Sequence, residues 1–282
     1  FLATTMDITN EDFLNGAGFN LSGNGDAGIV NLGQIVSSGG NVVLAGYTVK
    51  NEGSISAASG KVGLLAGTRI DVLSDLSWMG GAYAVSLGER GNDITNVGRI
   101  EAMIAELRTH NGNIYALAGN NDGLIQATGV NHEGGRVVLT ADEGLVQSSG
   151  TLVAQNGADG GAIQIAGNAV HNFGGLQTVS GATGGSITIT TDSIISDTEM
   201  RADGTAGVGG AIIVEATSEI MITSAGVVSA SGATAGGDVA MNSGLGRTIL
   251  SGSISADGEV SGGSVALVGK DVALLAGQVS AT

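Results

Sequence analysis

The sequence contains no cysteine and no proline. Without cysteine, the chain has no disulfide scaffold, no thiol nucleophile and no cysteine-ligated metal site. The lack of proline is unusual, because about 5 % of residues in an ordinary protein are proline. Proline has no N–H group for a β ladder and is confined to sheet edges and bulges. Its absence therefore favours a chain whose strands are mostly paired on both sides.

Basic and aromatic residues are also scarce. The 282 residues include 10 Lys and Arg against 26 Asp and Glu, which gives a net charge of −16, and only 3 % are aromatic. A nucleic-acid-binding surface needs clustered cations, so this class of function is excluded. No apolar run reaches the length of about 18 residues that a transmembrane helix needs. The chain is 42 % hydrophobic, which argues against disorder.

Glycine is abundant, with 51 copies, and many of them belong to a repeat. A glycine pair, or a near-copy of one, is followed by alternating apolar residues. The second glycine of the copies falls at positions 40, 60, 81, 112, 135, 161, 185, 210, 237 and 263. This alternation is typical of a strand with one buried face. A second strand of the form Gly-x-Ile/Leu/Val-x-Ala and a third, weaker apolar stretch complete each repeat.

Three short strands in about 25 residues, with small corner residues, predict a parallel β-helix. We expect an all-β, right-handed solenoid of about eleven coils, because crossovers between parallel strands are nearly always right-handed. The interval from Gly81 to Gly112 is longer than the others. Helical spacing within it predicts a short helical excursion at 103–109, and the residues that follow this spacing are Ile100, Met103, Ile104 and Leu107.

Asparagine recurs just before the second strand, in the pattern Asn-x-Gly. Asn tolerates the left-handed turn conformation and bonds to local backbone. In stacked coils these side chains are expected to form a ladder along one corner. The predicted ladder consists of Asn31, Asn51, Asn96, Asn121 and Asn172.

Titratable residues give little indication of a catalytic or metal site. His110, His132 and His171 occupy unlike places in the repeat. Asp159 and its counterparts Asp203 and Asp257 each occupy an Ala-Asp-Gly turn, so we expect them to align, and we interpret them as turn residues. We therefore expect no catalytic residue, no metal site and no cofactor.

The residue three positions after each repeat glycine points outward by alternation. This column is small and apolar, and its neighbours carry little charge, which predicts a flat contact surface. The predicted association face consists of Val43, Tyr115, Val138, Thr188, Ile213, Ala240 and Ala266.

The first half of the chain resembles a known secretion module. The segments LATTMDITNEDFLNG, VNLGQI, GGNVVLAG and VKNEGSISA, and later AELRTHNGNIYALAGNNDGLIQATG and GGRVVLTA, are similar to filamentous-haemagglutinin-type secretion domains. The family's Asn-Pro-Asn-Gly motif is absent, which fits a chain that begins partway into such a domain, with transporter-docking residues upstream. The resemblance covers roughly residues 1–145.

The resemblance implies a surface protein of a Gram-negative bacterium, exported by the two-partner route through an outer-membrane transporter. We expect residues 1–145 to be the latter part of the secretion domain and residues 146–282 a continuing shaft. The expected function is that of a non-catalytic adhesin or rigid shaft, with a host or cell-surface receptor or glycan and self-association as further partners. The alternatives are a homopolymeric extracellular filament and, more remotely, a carbohydrate-active β-helix enzyme.

Overall fold

The computed structural model describes residues 1–15, 18–23, 25–73, 83–86, 92–118, 123–129 and 135–282. Within these ranges, 25 strands belong to one continuous sheet, and nearly all of its strand pairs are parallel. A second sheet of four strands is antiparallel. The parallel β-helix predicted from the repeat is confirmed.

The elements fall in the following order along the chain. The first part contains β1 (Leu2–Thr4), β2 (Asp7–Ile8), α1 (Asn10–Asn15), β3 (Gly18–Ser22), β4 (Ile29–Asn31), β5 (Gln34–Val36), β6 (Val42–Gly46), β7 (Val49–Asn51), β8 (Ser54–Ala66), β9 (Arg69–Leu73) and β10 (Tyr83–Ser86). The middle contains β11 (Ile94–Asn96), β12 (Arg99–Thr109), β13 (Ile114–Ala116), β14 (Leu124–Gly129), β15 (Arg136–Ser148), β16 (Thr151–Asn156), β17 (Asp159–Gly160), β18 (Ala162–Asn172) and β19 (Leu176–Thr178). The last part contains β20 (Ser186–Ser196), β21 (Glu199–Arg201), β22 (Ala211–Ile222), β23 (Val227–Ser229), β24 (Asp238–Asn242), β25 (Arg247–Leu250), β26 (Ser253–Ser255), β27 (Ser264–Val268), β28 (Asp271–Leu274) and β29 (Gln278–Ser280).

Each coil passes through three faces in the same order, and the longer strands bend from one face into the next. Face A is represented by Leu2, Val43, Gly63, Glu106, Val138, Gln164, Thr188, Ile213, Ala240 and Ala266. Face B is represented by Val30, Lys50, Thr95, Tyr115, Gln147, His171, Ile195, Met221, Ile249 and Ala273. Face C is represented by Ile35, Ile55, Ile100, Ile125, Leu152, Gln177, Met200, Val228, Ile254 and Val279. The described residues thus form ten coils, numbered 1 to 10 from the N-terminus, one fewer than the sequence indicated.

The interior is a stack of aliphatic side chains from all three faces. On face A of coil 6, Ile163 and Ile165 point inward and Gln164 points outward, and the same alternation holds in the coils above. The buried residues form one continuous core cluster from coil 2 to coil 9. Because no coil can bury its inward side chains alone, each depends on its neighbours for stability.

The helix expected at 103–109 is wrong. These residues belong to β12, which pairs in parallel with β8 and with β15. Ile100 and Ala102 enter the core from face C, whereas Ala105 and Leu107 enter it from face A. The register shifts between Ala102 and Ile104. The inward-facing residues therefore alternate in one phase before the shift and in the opposite phase after it. The change of phase gives apolar residues a spacing that resembles that of a helix.

Two of the ten repeat copies were also assigned to the wrong strand. The copy after Gly81 includes Tyr83, which lies in β10 and pairs in antiparallel fashion with β9. The copy after Gly112 leads into β13 on face B, where Ile114 pairs with Ile94 and Val146. The face-A strand of this coil is instead the second half of β12. A face-B strand also has alternating apolar residues, so this pattern alone does not distinguish the faces.

Two insertions leave the β-helix at the same corner, between face A and face B. Residues 5–28 in coil 1 contain β2, α1 and β3, and residues 67–93 in coil 3 contain β9 and β10. Their strands join in the order β10-β9-β3-β2 to form the antiparallel sheet. The insertions therefore bind to each other across one intervening coil.

The antiparallel sheet covers part of face A. Met6 and Leu21 of the first insertion and Ile70 of the second pack against Val43 and Leu65 in a second apolar cluster. Val43 and Leu65 point outward from their coils but are buried, at 8 % and 0 % exposure. In coils 2 and 3, face A is thus an internal surface.

The glycines of the repeat are required by the close approach of successive coils. A β-carbon at Gly210 would lie 2.0 Å from the carbonyl oxygen of Gly185, and one at Gly185 would lie 2.1 Å from that of Gly161. The corner between faces B and C repeats this geometry, because a β-carbon at Gly53 would lie 2.0 Å from the carbonyl oxygen of Gly33. Any larger residue must therefore push the coils apart.

Gly53 and Gly33 provide a matched test of this constraint. We expect Gly53→Ala to lower the free energy of unfolding by about 2 kcal/mol, the usual cost of overpacking. Gly33 occupies the same motif position, but a β-carbon there meets nothing within 4 Å. Gly33→Ala is therefore expected to leave stability nearly unchanged. Urea unfolding followed by far-ultraviolet circular dichroism measures both, and equal midpoints for the two variants would contradict this account.

Candidate functional surfaces

A directional chain of hydrogen bonds runs through asparagine side chains at the corner between faces B and C. The Nδ2 atom of Asn31 donates to Oδ1 of Asn51 over 2.8 Å, and Nδ2 of Asn51 donates to Oδ1 of Asn96 over 2.8 Å. Backbone groups complete both ends: Gly33 N donates to Asn31 Oδ1 over 3.2 Å, and Asn96 Nδ2 donates to Gly98 O over 3.1 Å. Each amide thus uses one donor and one acceptor to hold coils 1 to 3 in register.

The structure allows one of the other two predicted ladder members to be assessed. Asn121 lies outside the described residues. Asn172 occupies the same column, but its side chain has no hydrogen-bond partner. Above Asn96, the type of side chain in this column differs from coil to coil. The successive residues are Ala116, Ser148, Asn172, Ser196, Ile222, Leu250 and Leu274.

A second ladder runs along the corner between faces C and A in the upper coils. Ser180 Oγ accepts a bond from Asp203 N over 3.0 Å, and Asp203 Oδ1 accepts one from Ser231 N over 2.9 Å. Ser231 Oγ then accepts from Asp257 N over 3.3 Å, and Asp257 Oδ1 accepts from Thr282 N over 2.8 Å. Acidic and hydroxyl residues alternate, so the carboxylates are two coils apart. At about 4.8 Å per coil, this separation weakens their mutual repulsion.

The carboxylates of this corner accept hydrogen bonds from groups of their own and neighbouring coils. Asp159 Oδ1 accepts from the N and Oγ1 atoms of Thr183 over 3.0 and 2.8 Å. Asp257 accepts from Ser280 Oγ, Thr282 N and Ser255 Oγ, and these bonds lower its pKa to about 2. Among the described residues, no group of three His, Asp or Glu side chains could hold a metal ion.

The register changes the membership of the predicted association face. Placing Tyr115 in it was wrong, because Tyr115 pairs with Thr95 and Gln147 on face B. Val43 and Val138 do lie on face A, but they are only 8 % and 3 % exposed. The predicted members that lie on face A and remain accessible are Thr188, Ile213, Ala240 and Ala266.

Face B has an outward column, mostly apolar or aromatic, that the sequence repeat did not reveal. Its members are partly exposed and consist of Tyr115, His171, Ile195, Met221 and Ile249 in coils 4 and 6 to 9. The ring of His171 lies 5.6 Å from that of Phe173, at a tilt of 55°. The signal was weak because the third strand of each repeat has no flanking glycine pair.

Most described basic side chains form ion pairs. In six of the seven pairs below, the partners are two positions apart in the sequence, a spacing at which side chains of extended backbone share a face. Arg247 is bound across adjacent coils. The pairs are Lys50–Glu52, Arg69–Asp71, Arg99–Glu101, Arg108–Glu106, Arg201–Glu199, Arg201–Asp203 and Arg247–Glu219. The excess charge of the chain is therefore carried by acidic side chains.

No protein-family model and no curated protein sequence matches the chain. Its structure is similar to the crystal structure of the HMW1 secretion domain from Haemophilus influenzae, with a TM-score of 0.68 and 26 % sequence identity. The match covers 98 % of this chain and 74 % of that one. The chain has the fold of a bacterial secretion domain. The resemblance to filamentous-haemagglutinin-type secretion domains that its motifs indicated is confirmed.

Among the described residues, no helix is long and apolar enough to cross a membrane.

The asparagine ladder can be tested by comparing two residues in one column. Asn51→Ala removes the partners of both Asn31 and Asn96, so it leaves a buried donor and a buried acceptor unsatisfied. We expect a loss of about 2 kcal/mol or more in the free energy of unfolding. Asn172→Ala removes the same atoms from a side chain that makes no direct hydrogen bond to another protein group, so it should cost less. Chemical unfolding gives both values, and equal losses would show that the ladder contributes nothing specific.

The carboxylate of Asp257 makes the last coil sensitive to acid. Its pKa is about 2 in the folded chain against an ordinary 3.8, so its stabilising effect is complete above about pH 4. This contribution is lost as the pH falls from about 4 towards 2. We expect the β29 amides to lose hydrogen-exchange protection over this range, after correction for intrinsic exchange rates. Asp257→Asn, which cannot titrate, should show a weaker pH dependence, and an unchanged one would contradict the assignment.

Proposed function

We propose that this chain is the secretion-domain region of an exported bacterial surface protein and serves as a rigid, non-catalytic shaft or adhesin scaffold. The observation that carries this proposal is the structural likeness to the HMW1 secretion domain, which extends over 98 % of the chain. It spans both expected parts, residues 1–145 and 146–282. The strand β15 runs across residues 145 and 146, so we propose one continuous solenoid.

The geometry suits a spacer. Ten coils at about 4.8 Å each give a rod of roughly 50 Å. Hydrogen bonds between coils run along the rod axis, so bending the rod must strain the ladder on one side. Aligned glycines and two side-chain ladders fix the register in addition to the backbone. A rod of this kind can hold other parts of a surface protein at a set distance from the cell.

Export in an unfolded form is compatible with the chemistry of the chain. It has no cysteine to form disulfides and no proline to isomerise slowly. Coils contact only their neighbours, so each can fold onto the previous one as the chain emerges. The partner that we propose is an outer-membrane transporter of the two-partner type, and the location is the surface of a Gram-negative bacterium or the surrounding medium.

Self-association into a filament is the second candidate. The accessible part of face A, around Ile213, offers a lateral contact. Stacking of one end on another is a head-to-tail contact that does not close, and such contacts build fibres.

One experiment tests export and separates the shaft from the filament. The chain, preceded by a cleavable export signal and by the transporter-docking segment of a two-partner secretion domain, is expressed in a Gram-negative host with and without the matching outer-membrane transporter. We expect the protein in the medium only when the transporter is present, because release depends on that partner. Comparable release without it would overturn the proposed route. Negative-stain electron microscopy of the released protein at several concentrations should then show discrete rods of roughly 50 Å, whereas long fibres would support the filament.

A further inference from the structure

Coil 6 buries two amide side chains that the protein itself does not satisfy. Asn172 is the last residue of β18, and Gln177 lies in the middle of β19, on the other side of the same corner. Both are 0 % exposed, and none of their four amide oxygen and nitrogen atoms has a hydrogen-bond partner. A buried polar group left unpaired costs about 1–3 kcal/mol, so native proteins rarely keep four together.

The neighbouring coils do not supply the missing partners. In its column Gln177 lies between Leu152 and Met200, neither of which has a strong hydrogen-bonding side chain. Gln177 is the one polar member of an otherwise apolar face-C column. The backbone groups of β18 and β19 are used in the parallel ladders with the coils below and above.

The neighbours of Asn172 in its column also differ from those in the lower coils. Asn51 contacts Asn31 and Asn96 directly, because an amide on every coil spans the interval of about 4.8 Å. Asn172 instead lies between Ser148 and Ser196, whose side chains are shorter. Neither adjacent coil therefore offers Asn172 an amide for a direct bond.

We propose that the interior of coil 6 binds one or more ordered water molecules, with the amides of Asn172 and Gln177 as their ligands. Water both donates and accepts, so it can satisfy the N–H and C=O groups of the two side chains together. Buried waters typically make about three hydrogen bonds to such groups. The site makes coil 6 a hydrated layer within an apolar core and does not depend on the proposed function.

A high-resolution crystal structure of the whole chain tests the site directly. We expect solvent density inside the coil within about 3.2 Å of an amide atom of Asn172 or Gln177. In Gln177→Leu, which matches Leu152 below it, this density should be lost or displaced while the fold is kept. Gln126→Leu is the matched control, because Gln126 lies on face C but points outward. Amides that bond to each other or to other protein groups, with no solvent density, would overturn the proposal.

Nuclear magnetic resonance provides a second readout in solution. Long-lived internal water should give cross-relaxation peaks with the side-chain amide protons of Asn172 and Gln177. We expect the Asn172 peaks to weaken several-fold in Gln177→Leu and to stay unchanged in Gln126→Leu. Absence of water peaks at both side chains of the unsubstituted protein would contradict the site.

Discussion

The distance of about 4.8 Å between parallel coils is the constraint on which the rest of this structure depends. It is set by backbone hydrogen bonds, and every corner must conform to it. Where a corner of one coil passes over a carbonyl group of the coil below, no room remains for a β-carbon. Only glycine fits at such a position. The same spacing lets an amide on one coil reach an amide on the next. The glycine columns and the asparagine ladder are thus two consequences of one repeat distance.

Different coils use different means to hold their register. Coils 1 to 3 have both the asparagine chain and the antiparallel sheet, which joins an insertion of coil 1 to one of coil 3. These bonds bridge a long stretch of chain, since Asn51 and Asn96 are 45 positions apart. The upper coils have short connections and rely on the corner of alternating acidic and hydroxyl residues. The long-range side-chain hydrogen bond between Asn51 and Asn96 therefore lies in the coils that carry or adjoin the insertions.

The sequence predicts the fold class because backbone spacing imposes the same residue types on successive coils. Eight of the ten glycine-led copies lie on face A as expected, for example those leading to Val137 and Ile163. The failures have local causes. A bulge near Met103 changed the phase of alternation within one strand, and the face-B strand at Ile114 has the same apolar pattern as a face-A strand. The antiparallel sheet could not be predicted, because its pairing depends on two distant insertions meeting at one corner.

The surfaces were harder to predict than the core. The alternation of residues predicts that Val43 and Val138 point outward. It does not predict whether other parts of the chain bury them, and both are buried. The repeat likewise predicts that Asn172 lies in the asparagine column. A ladder also requires partners on adjacent coils, and Asn172 has serine on both sides. Contacts in a solenoid are confined to neighbouring coils, so an imperfect layer costs stability only locally. The cost of the two buried amides in coil 6 is therefore confined to that coil and its neighbours.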